Sequence, residues 1–92
     1  MIKSFRNHDL EKLWQIGKPL PHKLPTAETV LRLLDLIEAS GNPRDVAYFG
    51  FRFDEWMEQG ATRFGVMVSD HWIVTYGWSD QHAIELDFEW VN

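Results

Sequence analysis

Ninety-two residues with 45% hydrophobic and 25% charged side chains suit one folded domain and exclude a disordered or low-complexity chain. The chain has no cysteine, which excludes a disulfide staple, a thiolate zinc site and a cysteine nucleophile, and fits a reducing, cytoplasmic setting. The net charge of −5 is uneven: residues 1–63 hold all nine Lys and Arg with nine acids, whereas residues 64–92 hold five acids and no Lys or Arg. A nucleic-acid binder normally presents the reverse, a cluster of cations facing phosphate.

In chain order, residues 2–6 read as a short first strand. From Asn7 the period changes: Leu10, Leu13 and Trp14 share a helical face, Asp9 and Glu11 suit the first turn, and Gly17 is the stop. Three prolines among Pro19, Pro21 and Pro25 make residues 18–25 an extended connection. Thr26 then suits an N-cap, and Ala27, Val30, Leu31, Leu34 and Ile37 follow at helical spacing, with Leu33 and Leu36 widening the stripe. Gly41 and Pro43 end this second helix.

After Gly50 the period becomes two. A strand fits Phe51 to Trp56, and three more alternate through residues 63–68, 71–78 and 84–90. Ser69-Asp70 and Ser79-Asp80-Gln81 are polar breaks suited to hairpins. Helices first and a meander afterwards predict an α+β fold, two helices packed on one face of a small antiparallel sheet. The even-numbered residues, Phe64 to Trp90, form the greasier set and are expected to face the helices. Arg63, Gly65, Met67, His71, Ile73, Thr75, Gly77, Glu85, Asp87 and Glu89 then form the open face. No run approaches the roughly 18 apolar residues of a membrane helix, and the start lacks an export-type apolar segment, so a soluble protein is expected.

The opening Met1-Ile2-Lys3-Ser4-Phe5, Leu10, Gly17, Gly50-Phe51-Arg52 and the stretch from Trp72 to Trp78 resemble HigB-type toxins of the RelE/ParE superfamily, the plasmid-maintenance killer proteins. The resemblance spans the chain and implies a β-α-α-β-β-β fold. It also implies a cognate helix-turn-helix antitoxin of the HigA kind and ribosome-dependent cleavage of mRNA without a metal. The chain departs from the pattern where that chemistry resides. Met57-Glu58-Gln59-Gly60 stands where the family has Lys-Gly-Asp-Arg, Trp72-Ile73-Val74 where it has Trp-Arg-Ile, and Trp90-Val91-Asn92 where it ends Asp-Tyr-His. No catalytic residue therefore carries over.

Cleaving RNA through its 2′-hydroxyl needs a base, an acid and a cation for the charge building on phosphorus. Arg52, Arg63 and His71 are the residues that could supply these. His71 titrates near neutral pH, with a solvated turn histidine as the plainer alternative. Arg63 suits a phosphate or, more simply, Glu85 or another sheet acid. Glu85, Asp87 and Glu89 recur at about 6.5–7 Å along one strand face. Such carboxylates serve hydrolysis or, with His82, a hard cation, yet they are also how a solvated strand looks, and an acidic stripe can dock a basic partner. Trp14, Trp72, Trp78 and Trp90 fit the core, which leaves Trp56 as the aromatic candidate for binding.

Three readings follow. The first is a toxin-like component of a toxin–antitoxin pair with weakened or lost nuclease activity, for which charge disfavours ribosome and mRNA as partners. The second is a non-enzymatic protein-binding module using the acidic face. The third is an active endoribonuclease with its catalytic set moved to Arg52, Arg63 and His71. No cofactor or metal is called for in any of them.

Overall fold

The computed structural model describes residues 1–20 and 27–91. Helix α1 (His8–Ile16) begins where the Asn7 carboxamide oxygen accepts the Leu10 N–H at 2.9 Å, satisfying one of the unpaired donors of the first turn. It ends at Gly17, whose φ of 71° lets its N–H return to the Leu13 carbonyl at 3.1 Å. Helix α2 (Ala27–Ala39) buries Val30, Leu33, Leu34 and Ile37. The apolar stripe is thus centred on Leu33 and Leu34, and Ala27 lies exposed at the first turn. The N-cap expected at Thr26 lies outside the described residues. A short 3-10 helix (Asp45–Phe49), which periodicity did not announce, leads into the sheet.

Four antiparallel strands follow as a meander: β1 (Arg52–Glu58), β2 (Ala61–Met67), β3 (Trp72–Ser79) and β4 (His82–Trp90), in the order β1-β2-β3-β4. Tight turns join β1 to β2 through Gln59-Gly60 and β3 to β4 through Asp80-Gln81, with positive φ at all four residues. This backbone matches the right-handed twist of the flanking strands. Buried side chains of both helices join Phe64, Val66, Val74, Tyr76, Leu86 and Phe88 in one hydrophobic cluster. Tyr76 is fully buried, donates its hydroxyl to the Pro43 carbonyl at 2.6 Å, and has its pKa raised by burial and then by Asp45. The fold is α+β. Among the described residues, no helix is long and apolar enough to cross a membrane.

Three expectations need correction. Residues 2–6 form no strand: Ile2 and Phe5 make two isolated parallel bridges to Ala83 and Leu86 of β4. Between these bridges Glu85 takes φ 52°, and its N–H meets the Ser4 hydroxyl in place of a backbone carbonyl, which interrupts the ladder. The described elements therefore run α-α-β-β-β-β rather than β-α-α-β-β-β.

The same bulge shifts the pairing of β4 against β3 between Thr75 and Gly77. An extra residue in one strand reverses which face the preceding side chains occupy. Ile84, expected in the core, lies opposite Gly77 on the far face, and Ala83 opposite Trp78 is fully buried in its place. Trp90, also expected in the core, is 57% exposed at the end of its strand, edge-on to Trp72 at 5.4 Å.

Candidate functional site

Strand pairing places Trp56 opposite Arg63, Asp54 opposite Gly65, Gly65 opposite Thr75, and Thr75 opposite Asp87, all on the sheet face away from the hydrophobic cluster. Two glycines make room there. A Cβ at Gly65 would fall 2.6 Å from Ile73 Cδ1 and 2.9 Å from Cζ3 and Cη2 of Trp56, so that indole reaches over the glycine backbone. At Gly77 a Cβ would press on Ile84 Cγ1 at 3.3 Å and touch Arg63 Nη1 at 3.6 Å, so the guanidinium lies beside the bare glycine backbone. A glycine inside a strand commonly marks such close approach.

Arg63 is buried, with 4% of its surface exposed. Its Nη2 donates to the Thr75 hydroxyl at 3.1 Å and to the Glu85 carbonyl. The Thr75 hydroxyl donates in turn to Glu89 Oε2 at 2.8 Å, so arginine, threonine and glutamate form a chain across β2, β3 and β4. The bulge turns the Glu85 carbonyl toward Arg63 and its carboxylate toward Arg6, which donates to it from Nη2 at 3.3 Å. Arg6 also pairs with Glu58 at 3.6 Å. Arg63 Nη1 is buried without a hydrogen-bond partner among the described residues, and the Glu85 carboxylate stands 4.0 Å away. Burial, then repulsion from Arg6, pulls the Arg63 pKa below its ordinary value, opposed by Glu58, Glu85 and Asp87. These side chains border a cleft of about 480 Å³ at one end of the sheet, where two arginines are balanced by two carboxylates.

Arg52 and His71 lie elsewhere. Arg52 sits exposed opposite Met67, four residue steps along β1 from the Arg63 pair, or about 13 Å. It borders a second cleft of about 360 Å³ with Asp54, Met67, Asp70 and Ile73. His71 is exposed in the turn between β2 and β3, its ring stacked on Trp90 at 4.7 Å and its Nδ1 3.2 Å from the Val91 carbonyl. Arg63 is held at one end of the face, while Arg52 and His71 mark the other, so the three do not meet around one phosphate.

The carboxylate stripe is broken as well. Glu85 leaves it at the bulge, Asp87 caps the N–H of Phe88 at 2.8 Å, and Glu89 holds Thr75. Among the described residues no group of three or more His, Cys, Asp or Glu is placed to hold a metal ion. Trp56 is half-buried, forming a platform with Ile73 over Gly65.

Arg6 is the site residue that pattern reading missed, since nothing local ties it to Glu85, 79 positions away. Gly65 and Gly77 did carry a signal, as glycines within strand-like runs. Set against known proteins, the chain matches no family model and no curated protein.

Proposed function

We propose that the chain is a non-catalytic binding module that takes a protein partner on the far face of its sheet. The observation that supports this most is the state of Arg63. The cation best placed to stabilise a phosphorane is enclosed and hydrogen-bonded to Thr75 and Glu85, and neither Arg52 nor His71 stands beside it. Asp54, Glu58, Asp87 and Glu89 add carboxylates to that face, which raises the cost of bringing a polyanion near and favours a basic protein segment. Trp56 and Ile73 supply apolar area between those charges. The resemblance to HigB-type toxins suggests the biological setting, a toxin-like component held by the protein encoded beside it.

The test is to induce the chain in a bacterial host without its neighbouring gene, following growth and mRNA 5′ ends, and to titrate the purified protein with the neighbour's product. Unimpeded growth, no new 5′ ends, and saturable binding that weakens with salt are expected. Growth arrest with codon-linked cuts, lost in a folded Arg63→Met variant, would replace this reading with an active ribonuclease.

A further inference from the structure

The two edges of the sheet differ. Residues 1–6 run beside β4, and the N–H groups of Lys3 and Arg6 donate to the carbonyls of Ala83 and Leu86 at 2.8 and 2.7 Å. Strand β1 is the opposite edge and, among the described residues, pairs only with β2. Its closing pair, Glu58 with Ala61, flanks a two-residue turn, so Arg52, Asp54, Trp56 and Glu58 direct their backbone groups toward β2. Phe53, Glu55 and Met57 direct theirs outward. The Glu55 N–H accordingly finds the Asp54 carboxylate, at 2.8 Å, instead of another strand.

From this we propose that β1 pairs with β1 of a second copy of the chain, antiparallel about a two-fold axis at Glu55, giving one continuous eight-stranded sheet. The sequence of β1, Arg-Phe-Asp-Glu-Trp-Met-Glu, sets Arg52 and Glu58 at equal distances on either side of Glu55 and would set Asp54 against the partner's Trp56. In this register Arg52 faces the partner's Glu58, and the symmetry makes that pair twice. Phe53 faces the partner's Met57, and Met57 is 67% exposed in the single chain. The 3-10 helix packed against β1 exposes Tyr48 and Phe49 as further apolar surface near this edge. Sliding by two residues one way sets Asp54 against itself, and the other way sets Asp54 against Glu58. The centred register is therefore the one that joins opposite charges.

Three features oppose pairing, the first being that Glu58 already pairs with Arg6 of its own chain at 3.6 Å and would have to share its carboxylate with the partner's Arg52. Glu55 meets its own copy on the axis, but Arg44 holds each Glu55 carboxylate with two hydrogen bonds, at 2.7 and 2.8 Å, so two compensated pairs meet there. Charged residues also commonly keep a sheet edge from pairing. A purely repellent edge, however, gains nothing from Arg52 and Glu58 standing equidistant from Glu55.

Sedimentation equilibrium on the whole chain tests this. The natural protein is expected to show a concentration-dependent dimer that weakens with salt. Arg52→Glu and Glu58→Arg, each placing two like-charge pairs across the axis, should each weaken the dimer about tenfold or more. The double variant Arg52→Glu/Glu58→Arg should recover most of the loss, and circular dichroism checks that each variant is folded. Arg52→Ala, which adds no repulsion, should fall between the natural protein and Arg52→Glu. A protein that stays monomeric at every concentration, or a double variant no better than the single ones, overturns the proposal.

Discussion

On one face the sheet presents Phe64, Val66, Val74, Tyr76, Leu86 and Phe88 to a cluster shared with both helices; on the other the same strands carry Arg63, Gly65, Thr75, Gly77 and Glu89. Both faces bury their centre, since Thr75 is as inaccessible as Val74. The first gains stability from apolar area removed from water, which is additive and insensitive to direction. The second depends on one guanidinium, beside the bare backbone of Gly77, reaching a hydroxyl and a carbonyl, which is directional and fails as a unit. A buried polar face can therefore look in sequence like a functional one: Arg, Thr and Glu are the residues a nuclease would also use.

Cutting into each face separates the two mechanisms. The largest effect is expected from Leu34→Ala, which opens a cavity under the fully buried centre of α2 and should cost about 2–5 kcal/mol in urea unfolding. On the far face Arg63→Ala removes the donor to Thr75 and Glu85 and should cost about 1–3 kcal/mol. Arg63→Met, which keeps apolar volume in the same slot, should recover part of that loss. If Arg63→Met matched the natural protein, the hydrogen bonds would be contributing nothing and the two faces would not differ in kind.

Turn chemistry gives a smaller effect of opposite sign. Gln81 holds φ 66°, which a residue with a Cβ adopts at a cost and glycine adopts freely. Gln81→Gly should therefore raise the unfolding midpoint, by about 0.5–1 kcal/mol of stability. The smallest effect concerns Glu55, whose hydrogen bonds from Arg44 hold its carboxyl below the ordinary carboxylate pKa. A folded-state pKa below the unfolded one means that this pair stabilises above the unfolded value and is lost as pH falls through the folded one. Carboxyl-detected NMR should show Glu55 titrating below its ordinary value, and Arg44→Ala should move the midpoint upward.

Much of the fold was legible because its signals are local. Asn7 and Gly17 bracket α1, the spacing of Val30, Leu34 and Ile37 defines α2, and alternation from Phe64 onward gives the strands. What escaped depends on contacts distant in sequence or on a backbone choice that alternation cannot encode. Glu85 is an ordinary strand residue by pattern, yet its left-handed φ moves Ile84 out of the core and Ala83 into it. Residues 2–6 have strand composition but face that bulge, so only the bridges at Ile2 and Phe5 form. The parity that put Arg63 on the far face was right, whereas its enclosure by Gly77 and its link to Arg6 through Glu85 required the folded chain.

The status of the Arg63 guanidinium decides between a structural clasp and a catalytic cation. Nitrogen-15 NMR of its Nε–H and Nη–H groups, recorded while single-stranded RNA is added, observes that group directly. Slow proton exchange, two inequivalent Nη signals and no shift with RNA are the expected result. Fast exchange with RNA-dependent shifts would contradict it.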